Sequence, residues 1–211
     1  MMNTKGRRGI QFIFLALFGL LIWKGNMGIW LGILGVSVVM SLFFGRFYCG
    51  YICPMSPVTT WAEKLSRKIG LQRKGLPNFL EKDFLPWLVL ALMVGAMLIG
   101  KRALGVDIPV LLILVGLSAI ITLFYQQELF HRYLCPYSGF LRMAGGKAGK
   151  SKTVDAQFCN GCRSCLAVCP SGAISIRPDT KRAVIDAAHC HQCTECGDIC
   201  PKDAIAYRKA S

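Results

Sequence analysis

Cys159-Asn-Gly-Cys162-Arg-Ser-Cys165-Leu-Ala-Val-Cys169-Pro170 returns 31 residues later as Cys190-His-Gln-Cys193-Thr-Glu-Cys196-Gly-Asp-Ile-Cys200-Pro201. Both runs are C-x2-C-x2-C-x3-C-P, the spacing in which three thiolates hold one [4Fe–4S] cube and the fourth reaches a neighbouring cube. The offset carries past the cysteines, because Ser171-Gly-Ala-Ile-Ser-Ile176 falls on Lys202-Asp-Ala-Ile-Ala-Tyr207. Such a repeat predicts two pseudo-symmetric halves around one core, each with a short strand after its proline. The spacing assigns Cys159, Cys162, Cys165 and Cys200 to one cluster, and Cys190, Cys193, Cys196 and Cys169 to the other. Structural zinc usually takes its ligands as two separated pairs, which is not this pattern. Disulfides need an oxidising compartment, and the charge distribution places this tail in the cytoplasm.

Outside the runs the composition changes. The chain is 54% hydrophobic yet carries 25 Lys+Arg against 11 Asp+Glu. Residues 151–211 hold eight basic and six acidic side chains, so nearly all of the formal +14 belongs to the first 150 residues. No basic face on a folded soluble domain is apparent, so nucleic acid is excluded as a partner. Four apolar runs, Gly9 to Trp23, Gly28 to Gly45, Phe84 to Gly100 and Leu104 to Tyr125, predict four transmembrane helices paired as two hairpins. The first follows Lys5, Arg7 and Arg8, as a secretory leader would, but no small-residue cleavage site comes after it, so a retained helix is expected.

Ten basic residues fall on one side of these spans: Lys5, Arg7, Arg8, Arg46, Lys64, Arg67, Lys68, Arg73, Lys74 and Lys82. The opposite turns carry Lys24, Lys101 and Arg102. By the positive-inside rule both termini are cytoplasmic and the protein is a multi-pass protein of the cell inner membrane. The expected organisation is a four-helix transmembrane domain over 1–150 and an α+β bacterial 2[4Fe–4S] ferredoxin-like domain over 151–211. Trp61, Leu65 and Ile69 are spaced by four, with charges opposite, which predicts a helix lying in the headgroup layer. It reads as an anchor on membrane lipid or as a lip for quinone entry. Asp107 opens the fourth run and is read as reaching the outer interface, with a proton-relay role as the alternative. No histidine lies in a predicted span, which argues against a b-type haem. His189 and His191 flank Cys190 and read as solvated loop residues, or as groups that tune the second cluster.

The other three cysteines form a second repeat. Cys49-Gly-Tyr-Ile-Cys53-Pro-Met-Ser56 follows the second run, and His131-Arg-Tyr-Leu-Cys135-Pro-Tyr-Ser138 follows the fourth, 82 residues on. Each hairpin thus ends in one motif on one face, as parallel repeats do. A spacing of four puts Cys49 with Cys53, and His131 with Cys135, on one side of a turn. These four residues read either as a third metal site, iron or iron–sulfur, or as buried turn residues with unreactive thiols.

Gly45-Arg-Phe-Tyr-Cys-Gly-Tyr-Ile-Cys-Pro54 and Arg132-Tyr-Leu-Cys-Pro136, ahead of two ferredoxin runs, resemble the NapH/NosR/CcoG-type membrane polyferredoxins over nearly the whole chain. The resemblance implies four to six membrane helices, C-x3-C-P motifs and a double-cluster domain, in proteins that serve respiratory reductases, their maturation or metal handling. In those proteins the second motif also begins with cysteine, where this chain has His131. Imidazole in place of thiolate raises the potential of an iron centre. The function expected is a membrane-anchored electron-transfer subunit between a cytoplasmic donor and the quinone pool or another redox subunit. The alternative is an assembly or metal-handling factor whose edge thiols bind or reduce a metal ion. No dinucleotide-binding glycine pattern is present, so hydride chemistry would come from a partner.

Overall fold

The computed structural model describes residues 4–73, 82–105 and 109–209. Lys74 and Asp107 lie outside the described residues. Packing divides the chain into two compact units, Met1–Pro57 with Phe140–Ser211, and Val58–Gly139.

The first unit begins with two long apolar helices, α1 (Thr4–Trp23) and α2 (Met27–Phe44). They pack by Phe18 edge-on against Trp30 at 5.0 Å, and the Trp30 indole donates to the Tyr48 hydroxyl at 3.2 Å. Their outer faces leave Ile13, Leu20, Val36 and Phe43 exposed, a surface suited to hydrocarbon and costly in water. After α2 comes a short turn of helix, α3 (Phe47–Tyr51).

The cysteine-rich tail completes this unit. Strand β1 (Lys150–Val154) pairs antiparallel with β4 (Ile205–Lys209), and β2 (Ile174–Ile176) with β3 (Ala183–Ile185). Two one-turn helices, α9 (Ser164–Ala167) and α10 (Glu195–Asp198), complete the halves. Left-handed backbone recurs at the 31-residue offset, at Gly161 and Gln192, Arg163 and Thr194, Gly172 and Asp203. The halves share one core through Cys165, Ile174, Ala183, Cys196 and Ile205. The strands that follow Pro170 and Pro201 are β2 and β4.

The second unit holds most of α4 (Met55–Ile69), then α5 (Leu85–Ile99) with a wider turn over Gly100–Leu104, α6 (Val110–Phe124) and α7 (Gln127–Leu129), which runs into a wider turn over Phe130–Leu134. Helix α8 (Ser138–Gly145) leads back to the first unit. Helix α4 exposes Trp61, Leu65 and Ile69 on one side, as an interfacial helix would. Its Ser66 hydroxyl donates to the Leu123 carbonyl at 2.5 Å, and the Arg73 amide donates to Phe124 O at 2.8 Å.

Among the described residues three helices are long and apolar enough to cross a membrane, Thr4–Trp23, Met27–Phe44 and Leu85–Ala103. The fourth run forms only the 15-residue helix Val110–Phe124 among the described residues. At 1.5 Å per residue that is roughly 22 Å, short of a hydrocarbon core of about 30 Å.

Candidate iron–sulfur sites

Each half of the tail closes on a small cavity. The first is lined by Cys159, Cys162, Cys165 and Cys200, with Val154, Ala183 and Ala204 among its apolar groups. The second is lined by Cys169, Cys190, Cys193 and Cys196, with Ala173, Ile174 and Ile185. Equivalent residues do equivalent work. The Ala173 amide donates to the Cys169 sulfur at 3.3 Å, and the Ala204 amide donates to the Cys200 sulfur at 3.4 Å. Four sulfurs in an apolar shell, with amide donors behind them, are a donor set that fits a [4Fe–4S] cube.

The cavities differ in exposure. Cys162 is exposed and Cys159 half-buried, whereas Cys190, Cys193 and Cys196 are all buried. Amide donation from Ser164 holds the Cys162 thiol below the usual range. Burial pushes the thiols of the second cavity the other way, Cys193 up to about 11 and Cys196 up to about 12, with Cys190 also raised. The main cause is desolvation, which penalises the charged thiolate; the positive charges of Arg7 near Cys193 and Lys152 near Cys196 offset only part of it.

What buries the second cavity is the helical hairpin. At the start of α1, Thr4 donates to Asp198 from its amide at 3.1 Å and also from its hydroxyl. Arg7, buried, pairs with Glu195, and Arg8 stands 3.8 Å from the same carboxylate. Both acids belong to α10, the turn that carries Cys196. Gln11 donates to the Gly50 carbonyl at 2.8 Å and to the Ser56 hydroxyl at 3.2 Å. Gly50 lies against the second cysteine run so closely that an added Cβ would overlap the carbonyl oxygen of His191. From the other side Gln192 accepts from the Lys152 amide at 3.0 Å and donates to the Ser151 hydroxyl at 2.8 Å. Tyr207 donates to Phe44 O at 3.1 Å, joining β4 to the end of α2. Beside these contacts lies a larger cavity of about 390 Å³, walled by Met40, Phe44, Phe47, Tyr51 and Tyr207 and floored by Lys152, Gln192 and Thr194.

Sequence reasoning left Arg7, Gln11, Gly50, Gln192 and Lys152 without a role. Arg7 counted only as one of ten positive charges. His191, read as a solvated loop residue, is instead buried because α3 covers it, while His189 sits 2.5 Å from Asp186. Carrying the 31-residue offset upstream of Cys159 would have singled out Lys152, since its counterpart is Ala183.

The two edge motifs have one backbone. The Cys53 amide donates to Tyr48 O at 2.8 Å and the Cys135 amide to Phe130 O at 2.8 Å, each closing a wide turn. The next serine amide then donates to the cysteine carbonyl, Ser56 to Cys53 at 3.2 Å and Ser138 to Cys135 at 3.0 Å. Proline suits the point between, where one helix stops and the next begins. Cys49, Cys53, His131 and Cys135 are all buried. Arg46 lies 3.7 Å from the Cys49 sulfur, and the His131 ring nitrogen Nε2 is 3.1 Å from the Thr59 hydroxyl. Among the described residues, no group of three or more His, Cys, Asp or Glu side chains converges as the ligands of a single metal ion.

Sulfur-lined cavities doubled by an internal repeat define the iron–sulfur polyferredoxin class. A family model described as "4Fe-4S binding domain" matches twice, over residues 26–72 and 107–153, once for each edge motif. One described as "4Fe-4S dicluster domain" matches residues 158–204. The chain belongs to the NapH-type polyferredoxin family. An uncharacterized protein of Methanocaldococcus jannaschii is 30% identical over 190 residues, 76% of this chain and 77% of that protein. Methylamine utilization ferredoxin-type protein MauN of Paracoccus denitrificans is 27% identical over 153 residues, 66% of this chain and 53% of MauN. Ferredoxin-type protein NapH of Escherichia coli is 26% identical over 150 residues, 64% of this chain and 51% of NapH. The chain therefore spans about half the length of these named relatives. No solved structure matches it.

Proposed function

We propose that this chain relays electrons between a cytoplasmic donor and a membrane acceptor, through two [4Fe–4S] clusters in the two cysteine-lined cavities. Residues 151–211 would be the relay and residues 1–150 its membrane platform, with both termini cytoplasmic. Cys159, Cys162, Cys165 and Cys200 would hold the outer cluster, and Cys190, Cys193, Cys196 and Cys169 the inner one. When bound, such a cluster takes up and returns single electrons. The observation that carries this direction is the asymmetry of the halves: the first run leaves Cys162 exposed, whereas the second buries three of its cysteines and lies against Gly50 at the end of the helical hairpin.

The acceptor we assign is a quinone headgroup in the cavity at the end of α2, or a redox subunit docked there. Supporting a quinone are a volume of about 390 Å³ and a lining of aromatic and methionine side chains with a few polar groups, Lys152, Gln192 and Thr194. Reduction of a quinone to the quinol consumes two electrons, which two one-electron centres can supply, and two protons, which would come from the cytoplasmic water. Cys49, Cys53, His131 and Cys135 remain a proposed third metal site whose support is the doubled motif. A metal there would have to draw Cys49 away from Arg46 and His131 from Thr59. If occupancy of that site were transient, the chain would be a metal-handling factor.

The test uses the full chain, purified anaerobically in detergent. It should carry about eight iron atoms, two cubes' worth. After reduction, a short-chain quinone should reoxidise both clusters, and Phe44→Trp, which fills the cavity, should slow that step while iron stays constant. Zinc in place of iron, or reoxidation that ignores Phe44→Trp, would overturn the relay or the quinone site respectively. Metal beyond two cubes, lost from Cys53→Ala alone, would establish the edge site.

A further inference from the structure

The 31-residue repeat permits a position-by-position comparison of the two cavities, and their linings correspond almost completely. Among the differences, one places a buried cation in the second cavity alone. Lys152 in β1 lines the second cavity, and its counterpart in the first is Ala183 in β3. Lys152 is 3% exposed, and its ammonium nitrogen makes no hydrogen bond among the described residues. That nitrogen lies within van der Waals reach of the Cβ position of Gly197, one residue after Cys196. The first cavity has cations of its own, Arg163 and Lys202, but both are exposed to water, which screens them. Arg7, also near the second cavity, is already paired with Glu195.

An ammonium group buried without a partner is costly, by several kcal/mol in the general case. It persists where an opposite charge shares its cavity. Four thiolates around a cube leave a net negative charge, and each added electron increases it, so a buried cation favours the reduced state. Lysine is suited to this role as a point charge on a flexible stem.

Building on the cluster assignment above, we propose that Lys152 is the counter-charge of the inner cluster and makes it the higher-potential one of the pair. An electron entering at the outer, exposed cluster then rests at the inner one, beside the membrane cavity that Lys152 also lines. Lys152 acts through the cluster and is a positioning residue for charge.

The experiment is a potentiometric titration of the full, iron-loaded chain followed by electron paramagnetic resonance. Lys152→Met should shift the equilibrium between the two clusters at least tenfold toward the outer one, which for one electron is about 59 mV. Lys152→Arg should restore it, and Lys202→Met should move the outer cluster by less. If Lys152→Met loses iron, Lys152→Gln, which keeps a donor without the charge, replaces it in the titration. Unchanged spacing between the potentials, with both clusters present, would overturn the role of Lys152. Wild-type protein with fewer than two clusters would instead overturn the assignment on which it rests.

Discussion

Gly161 and Gln192 hold equivalent places in the two cysteine runs, both in left-handed backbone, yet their neighbours have nothing in common. Gly161 faces the Lys181 carbonyl within the tail itself. Gln192 is buried, with its amide spent on Ser151 and Lys152. The same contrast holds for Asn160, exposed, and His191, buried. Repetition gave both runs one backbone, because spacing and left-handed positions are local requirements of a chain that must turn its sulfurs inward. Much of the difference comes from the end of a helical hairpin that covers one run and leaves the other exposed. A symmetric module thus became an asymmetric one by being docked on one side.

The largest expected effect comes from breaking that docking. Gly50→Ala places a methyl group into the His191 carbonyl, a backbone atom that cannot yield without moving the second run. The inner cluster should be lost, leaving about four iron atoms of eight. Gly161→Ala is its mirror, since its Cβ would meet Lys181 O at 2.5 Å with φ at +72°. It should cost more than about 1 kcal/mol from backbone strain alone and empty the outer site instead. Iron analysis with electron paramagnetic resonance distinguishes the two, and equal losses from both variants would erase the comparison.

A smaller effect is expected from Arg7→Met, which leaves half-buried Glu195 with only Arg8, 3.8 Å away. Loss of a hydrogen bond to a charged group costs about 1.5–3 kcal/mol. Denaturant unfolding read at the cluster absorbance should shift accordingly, and the inner cluster should bleach first.

The smallest effect sharpens the comparison through pH. Iron binds thiolate, so each cysteine gives up its proton on loading. Burial raises Cys165 of the outer site too, but there Cys162 is lowered, whereas at the inner site Cys193, Cys196 and Cys190 are all raised and hold their protons to higher pH. As pH falls, reconstitution of the apoprotein should therefore fail at the inner site before the outer one. Iron uptake across a pH series checks the order, and simultaneous failure of both sites would count against it.

Much of the fold was legible in the chain. Both cysteine runs, their sharing of one core, the strands after Pro170 and Pro201, the α4 amphipathic face and three long apolar helices follow from spacing and periodicity. Those are short-range signals, carried by residues a few positions apart. The fourth apolar run illustrates the limit, since composition marks a span while the described helix stops at fifteen residues. The edge motifs illustrate another. Cysteine and histidine four residues apart suggested ligands, whereas the same spacing also builds a wide turn closed by Tyr48 and Phe130 carbonyls.

By itself, then, the sequence determined the cysteine spacing, the doubled half and the apolar character of the helices. Tertiary structure alone decided that the hairpin packs with the tail as one unit, that Arg7 meets Glu195 across 188 residues, and that Gly50 lies against His191. It also decided that Lys152 is buried while Ala183 holds its place in the other half. The physical reason is that spacing and periodicity are properties of neighbouring residues, whereas burial and charge pairing depend on surfaces brought together from distant parts of the chain.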